Sequence, residues 1–84
     1  MPPMKVRLLF FAVLRDITGV GETELTLPEG STASSVWQAL RERHHQLADY
    51  ARPPLIAINE SYATAESLLR DGDELAFIPP VAGG

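Results

Sequence analysis

The segment Pro79-Pro80-Val81-Ala82-Gly83-Gly84 has no ionisable side chain, so the one reactive group it can offer is the α-carboxylate of Gly84. A carboxylate is a poor electrophile until one of its oxygens becomes a good leaving group. The chemistry open to such a tail is therefore activation by another enzyme, followed by capture of the activated carbon. Pro79 and Pro80 bias the segment toward extended backbone and cannot rejoin a sheet ladder. Six extended residues reach about 20 Å, enough to leave a small domain and enter a pocket on another protein. Gly83 and Gly84 lack a Cβ and so fit a narrow channel. Taken alone, the same segment reads as an ordinary frayed terminus; the rest of the chain has to decide between the two.

No other constellation competes. The chain has no cysteine, which removes disulfides, thiolate metal sites and any side-chain sulfur nucleophile. His44 and His45 are adjacent on a helical stretch, so they diverge and do not share a metal face. Asp71, Asp73 and Glu74 lie too close together for a calcium loop of about 12 residues, and read as a turn. Ser31, Thr32, Ser34 and Ser35 lack the Gly-x-Ser-x-Gly elbow and read as helix capping. No Gly-Lys-Ser/Thr phosphate loop occurs. Trp37 reads as core. No metal site and no bound cofactor are expected.

The 84 residues make one domain. At this size about 60% of the unfolded surface is buried, which leaves a thin core and little room for a cofactor. With 45% hydrophobic and 21% charged residues the chain is globular and not disordered. The net charge of −4, with Lys5 the single lysine, disfavours nucleic acid and anionic membranes as partners and suits docking on a basic surface. No apolar run approaches the roughly 18 residues of a membrane helix, and Met1-Pro2-Pro3-Met4 lacks the features of a signal peptide. A cytoplasmic location is expected.

The elements that would position the tail follow from periodicity. Lys5 to Leu14 predicts a strand, with Val6, Leu8, Phe10 and Ala12 inward and Leu9 and Phe11 outward. Thr18-Gly19-Val20-Gly21 predicts a turn and Glu22 to Leu27 a second alternating strand, making an N-terminal hairpin. Ser31 or Thr32 caps a helix whose apolar stripe is Val36, Trp37, Leu40 and Leu47, ending before Arg52-Pro53-Pro54. Leu55 to Ile58 is apolar throughout and predicts a central strand. Tyr62-Ala63-Thr64 predicts a brief edge strand. Glu74 to Ile78 predicts the last strand, ended by Pro79-Pro80. The result is an α+β domain over residues 1–78, one helix on one face of a small mixed sheet, with an extended tail over 79–84.

Leu9-Phe10-Phe11-Ala12, Asp71-Gly72-Asp73-Glu74, Ile78-Pro79-Pro80-Val81 and the terminal Gly83-Gly84 together resemble the small, sulfur-carrying subunits of molybdopterin synthase. The resemblance covers nearly the whole chain, most strongly Ile58 to Gly84 and the first strand. It implies a β-grasp, ubiquitin-like fold. It also implies that an ATP-using, E1-like adenylating enzyme activates the Gly84 carboxylate, and that a sulfur donor converts it to a thiocarboxylate. The large catalytic subunit would then bind the tail and pass the sulfur to a pterin precursor. This chain would supply the attacking group, while the catalytic acids and bases would come from the partner.

The resemblance also gives a role to an oddity of the pattern. A sheet covered by one helix has one solvent face, which should be polar. Yet Leu9, Phe11 and Ile78 point that way, and Tyr62 can join them. The family docks its large subunit through positions matching Phe11, Tyr62 and Ile78; Tyr62 stands where an aliphatic residue is more usual. Three other functions fit the same residues. They are a sulfur carrier for thiazole synthesis or tRNA thiolation, a ubiquitin-like modifier joined through Gly84 to lysines of targets, and an interaction domain with an inert tail.

Overall fold

The computed structural model describes residues 3–49 and 54–78. Five strands form one mixed sheet: β1 (Met4–Phe10), β2 (Glu22–Leu27), β3 (Leu55–Ile58), β4 (Ser61–Ala63) and β5 (Glu74–Ile78). Their spatial order is β2-β1-β5-β3-β4. The central pair β1–β5 is parallel and every other pair is antiparallel. Helix α1 (Ala12–Thr18) follows β1, and helix α2 (Ala33–Arg43) packs across one face of the sheet. This is the β-grasp architecture.

Alternation decides which face is covered. Met4, Val6, Leu8 and Phe10 of β1 are buried, and Lys5 and Arg7 between them are exposed. On β5 it is Leu75 and Phe77 that are fully buried, opposite Leu8 and Phe10 in register. Beneath α2, Phe77 lies 5.2 Å from the Trp37 ring and 6.4 Å from that of Phe10. Val36, Trp37 and Leu40 supply the helix side of this core. The start of α2 is fixed by a capping box. The Ser35 N–H donates to Thr32 Oγ1 at 3.1 Å, and the Thr32 N–H donates to Ser35 Oγ at 3.0 Å.

Three features before residue 50 differ from the sequence reading. The first strand stops at Phe10, and residues 12–18 are helical instead of continuing it to Leu14. Leu14 is buried and Ile17 packs against the core; an i, i+3 pair serves a helix, whereas on a strand the two would face opposite ways. Left-handed Gly19 (φ 82°) then ends α1. Hence β1 and β2 pair antiparallel as expected, but through a helix and not a tight turn. Third, α2 ends at Arg43, and Leu47 is buried from a separate 3-10 turn, His45–Asp49. Leu47 follows Val36 by about three helical turns, so it falls in phase with the stripe without belonging to the helix. The prolines expected to stop that helix include Pro53, outside the described residues.

Strand β3 is second from the edge, not wholly buried: Leu55 is exposed while Ile56 and Ala57 are buried. Strand β4 is the brief edge strand that was expected, one residue earlier than its predicted span.

Candidate functional site

The face of the sheet opposite α2 carries the candidate site. Register places Leu9 beside Ala76, Ala76 beside Ala57, and Ala57 beside Tyr62, a row across four strands. The two alanines are short, and their flanking residues Leu9 and Tyr62 are long. The middle of the row is therefore a shallow hollow of about 280 Å³, which Phe11 and Ile78 also line. One step further along the same face, Ile78 pairs with Leu55. Phe11, Leu55 and Tyr62 are among the large apolar side chains most open to solvent in this chain, at 46%, 56% and 78%. Apolar groups grouped in this way, and not scattered, form the kind of surface found at protein and ligand contacts.

Each is held there by local structure. Phe11 is the first residue after β1, extended (φ −118°, ψ 153°), and it serves as the N-cap of α1 without a side-chain capping bond. Its ring keeps the outward direction predicted for a strand although the strand has ended. Tyr62 sits at the centre of edge strand β4. Ile78 is the last residue of β5, half-buried, and Pro79 follows it directly.

In the opposite direction the face becomes charged. Arg7 lies opposite Glu24 on one side and Glu74 on the other. Its guanidinium is 3.6 Å from the Glu74 carboxylate and 3.9 Å from that of Glu22. With Arg7 and Glu22 largely exposed, these pairs add little to stability; they set the charge pattern of the face. Behind Glu74, Asn59 ties the β3–β4 turn to the start of β5. Its Nδ2 donates to Asp73 Oδ1 at 2.9 Å, its Oδ1 accepts the Glu74 N–H at 3.0 Å, and Asp73 Oδ2 accepts the Arg70 N–H at 2.8 Å. The Asp71-Gly72-Asp73 segment is thus a turn, with Gly72 at φ 87°. Among the described residues no group of acidic and histidine side chains is placed to hold a metal, and no helix is long and apolar enough to cross a membrane.

A match to the ThiS family runs from residue 8 to residue 84. The chain belongs to the ThiS family. Among relatives of this ThiS-family chain is the human molybdopterin synthase sulfur carrier subunit, 33% identical, with 100% of this chain and 99% of that protein covered. A solved structure of the Pyrococcus furiosus putative molybdopterin converting factor, subunit 1, is 30% identical, has a TM-score of 0.81, and covers 93% of this chain and 99% of that one. The fold also recurs in a Helicobacter pylori complex of subunits 1 and 2 of molybdopterin-converting factor, at 23% identity and a TM-score of 0.63, with 96% and 100% covered.

The structure thus brings Phe11, Tyr62 and Ile78 to one hollow. The other predicted site residues, Pro79, Pro80, Val81, Ala82, Gly83 and Gly84, lie outside the described residues. Sequence reasoning missed Ala57, which reads as one residue of an apolar run and becomes part of the hollow's floor only once the β3–β5 register is known. It also missed Leu55 as an exposed residue, and the charged end of the face. The signal for the latter was present as Arg7, Glu24 and Glu74, on strands whose pairing the sequence does not state.

Proposed function

We propose that this chain is the sulfur-carrier subunit of a molybdopterin synthase. Its C-terminal Gly84 carries the transferable sulfur, and its open sheet face docks the large catalytic subunit. The observation that carries the reading is one of continuity. Ile78 lines the apolar hollow and is also the residue from which the tail departs. A protein that grips a tail of six residues has its binding site within about 20 Å of Ile78, a reach that takes in this face. Relatives named as sulfur carriers of this synthase match the chain over its length, which supports the same reading.

The chemistry proceeds on the tail alone. An oxygen of the Gly84 carboxylate attacks the α-phosphate of ATP in the adenylating enzyme; pyrophosphate leaves and an acyl-adenylate forms. Hydrosulfide from the sulfur donor then attacks the acyl carbon and AMP departs; loss of the proton on sulfur leaves a thiocarboxylate. That group is ionised at neutral pH and soft, so it attacks an electrophilic carbon of the pterin precursor in the large subunit, and an oxygen leaving group departs from that carbon. Hydrolysis of the resulting acyl–sulfur link leaves sulfur on the precursor and restores the carboxylate. ATP is thus a substrate of the partner, and this chain needs no cofactor of its own. The body of the domain presents the tail, and residues of the partner handle protons.

Deleting Gly84 tests the assignment. The shortened chain is expected to melt like the parent and to transfer no sulfur in a reconstituted synthase. Normal transfer by a chain ending at Gly83 would refute it.

A further inference from the structure

The β3–β4 turn consists of two residues, Asn59 and Glu60, because Ile58 pairs with Ser61 across it. Both have positive φ, 52° and 70°. Two-residue hairpin turns with left-handed backbone at both positions favour Asn first and Gly second. Asn59 fits that rule and uses its side chain twice, on Asp73 and on the Glu74 N–H. Glu60 breaks it. A long L-residue in left-handed backbone is strained, and such strain persists where something else fixes the residue type. Among the described residues nothing does so. Glu60 is exposed, and among the described residues its carboxylate takes part in no hydrogen bond and no ion pair.

Its position supplies the missing reason. Glu60 lies at the border of the two halves of the open face. It lines the apolar hollow with Tyr62 and Ile78, and it also lines the charged groove that holds Arg7 and Glu74. Of the two acidic residues shared by both hollows, Glu74 already faces Arg7 at 3.6 Å, whereas Glu60 is free to meet a group from outside. In the docking role proposed above, the protein that holds the tail sits on this face, and the tail starts directly after Ile78.

We infer that Glu60 is a recognition residue of the docking face, whose carboxylate pairs with an arginine or lysine of the protein seated on Phe11, Tyr62 and Ile78. This rests on the docking role proposed above. The strained turn holds the carboxylate beside the apolar contact, so that the apolar surface supplies affinity and the charge fixes orientation. A glycine there would suit the turn better and lose the pairing.

The test compares Glu60→Gly, Glu60→Asn and Tyr62→Ala with the parent, titrated by calorimetry against the large subunit of molybdopterin synthase from the same organism, at low and at high salt. Glu60→Gly and Glu60→Asn are expected to melt at or above the parent temperature. Both are expected to bind about fivefold or more weakly at low salt, with a shallower salt dependence than the parent. If both bind like the parent while Tyr62→Ala is weakened, Glu60 is not a recognition residue and the docking face stands. If Tyr62→Ala also binds like the parent, the docking face itself is wrong. A Glu60→Gly chain that melts below the parent would overturn the strain argument.

Discussion

Replacing Tyr62 with alanine tests the apolar part of the open face at a modest cost to folding. Tyr62 is 78% exposed, and a large aromatic side chain can bury roughly 200 Å², so about 150 Å² of it is available to a partner. If docking covers half of that, about 75 Å² at roughly 25 cal/mol per Å² contributes about 2 kcal/mol, or about 30-fold in Kd. The part of the ring packed on its own chain is only about 45 Å², which puts the folding cost near 1 kcal/mol by the same coefficient. A position on an edge strand adds at most a similar amount through strand propensity. The assay is a titration of the large subunit with parent and variant, each first shown to be folded at the working temperature by circular dichroism. A loss near 30-fold is expected, alongside a fall of roughly 4–16 °C in melting temperature. An unchanged Kd in a folded variant would refute the argument that this face docks the partner.

Two further substitutions test the scaffold. Thr32→Ala removes the acceptor of the Ser35 N–H at the start of α2. It should cost about 1 kcal/mol, seen as a fall of about 4–8 °C in the melting temperature, with sulfur transfer unchanged at temperatures where the chain is folded. Phe77→Ala empties the position between Trp37 and Phe10 and should cost about 3–5 kcal/mol. That is a large part of the stability of so small a domain, so urea unfolding should show a much lower midpoint.

Local pattern was enough to read much of this molecule. Alternation in Met4, Val6, Leu8 and Phe10 identifies the covered face of β1, because Lys5 and Arg7 stand between the first three and fix the phase. On β5 only Glu74 marks the outer side: Leu75 and Phe77 face the core, and Glu74, Ala76 and Ile78 share the other face although Ala76 is itself buried. Helix α1 was illegible because Leu14 is inward on an extended strand and on a helix alike; only Ile17 argued for the helix. The end of α2 was hidden by Leu47, which keeps the helical phase while lying in a separate turn. The open-face residues Phe11, Tyr62 and Ile78 were visible as apolar residues on the wrong side. That they share one hollow was not, since it depends on Ala57 and Ala76 coming into register between Leu9 and Tyr62. The left-handed backbone of Glu60 had no signal beyond the residue itself, which is not one a turn of this kind selects.

The central claim is that Gly84 carries sulfur, and intact mass after thiol-specific alkylation tests it most directly. The chain is treated with, or co-expressed with, an adenylating enzyme and a sulfur source, then alkylated. Oxidation of Met1 or Met4 nearly matches an oxygen-to-sulfur exchange in nominal mass, which is why the label is needed. The chain has no cysteine, so an alkylated adduct reports a thiocarboxylate. The account predicts one adduct per chain, mapped by fragmentation to Gly84 and lost when Gly84 is deleted. No adduct, with the same enzyme shown to be active on a control carrier, would contradict it.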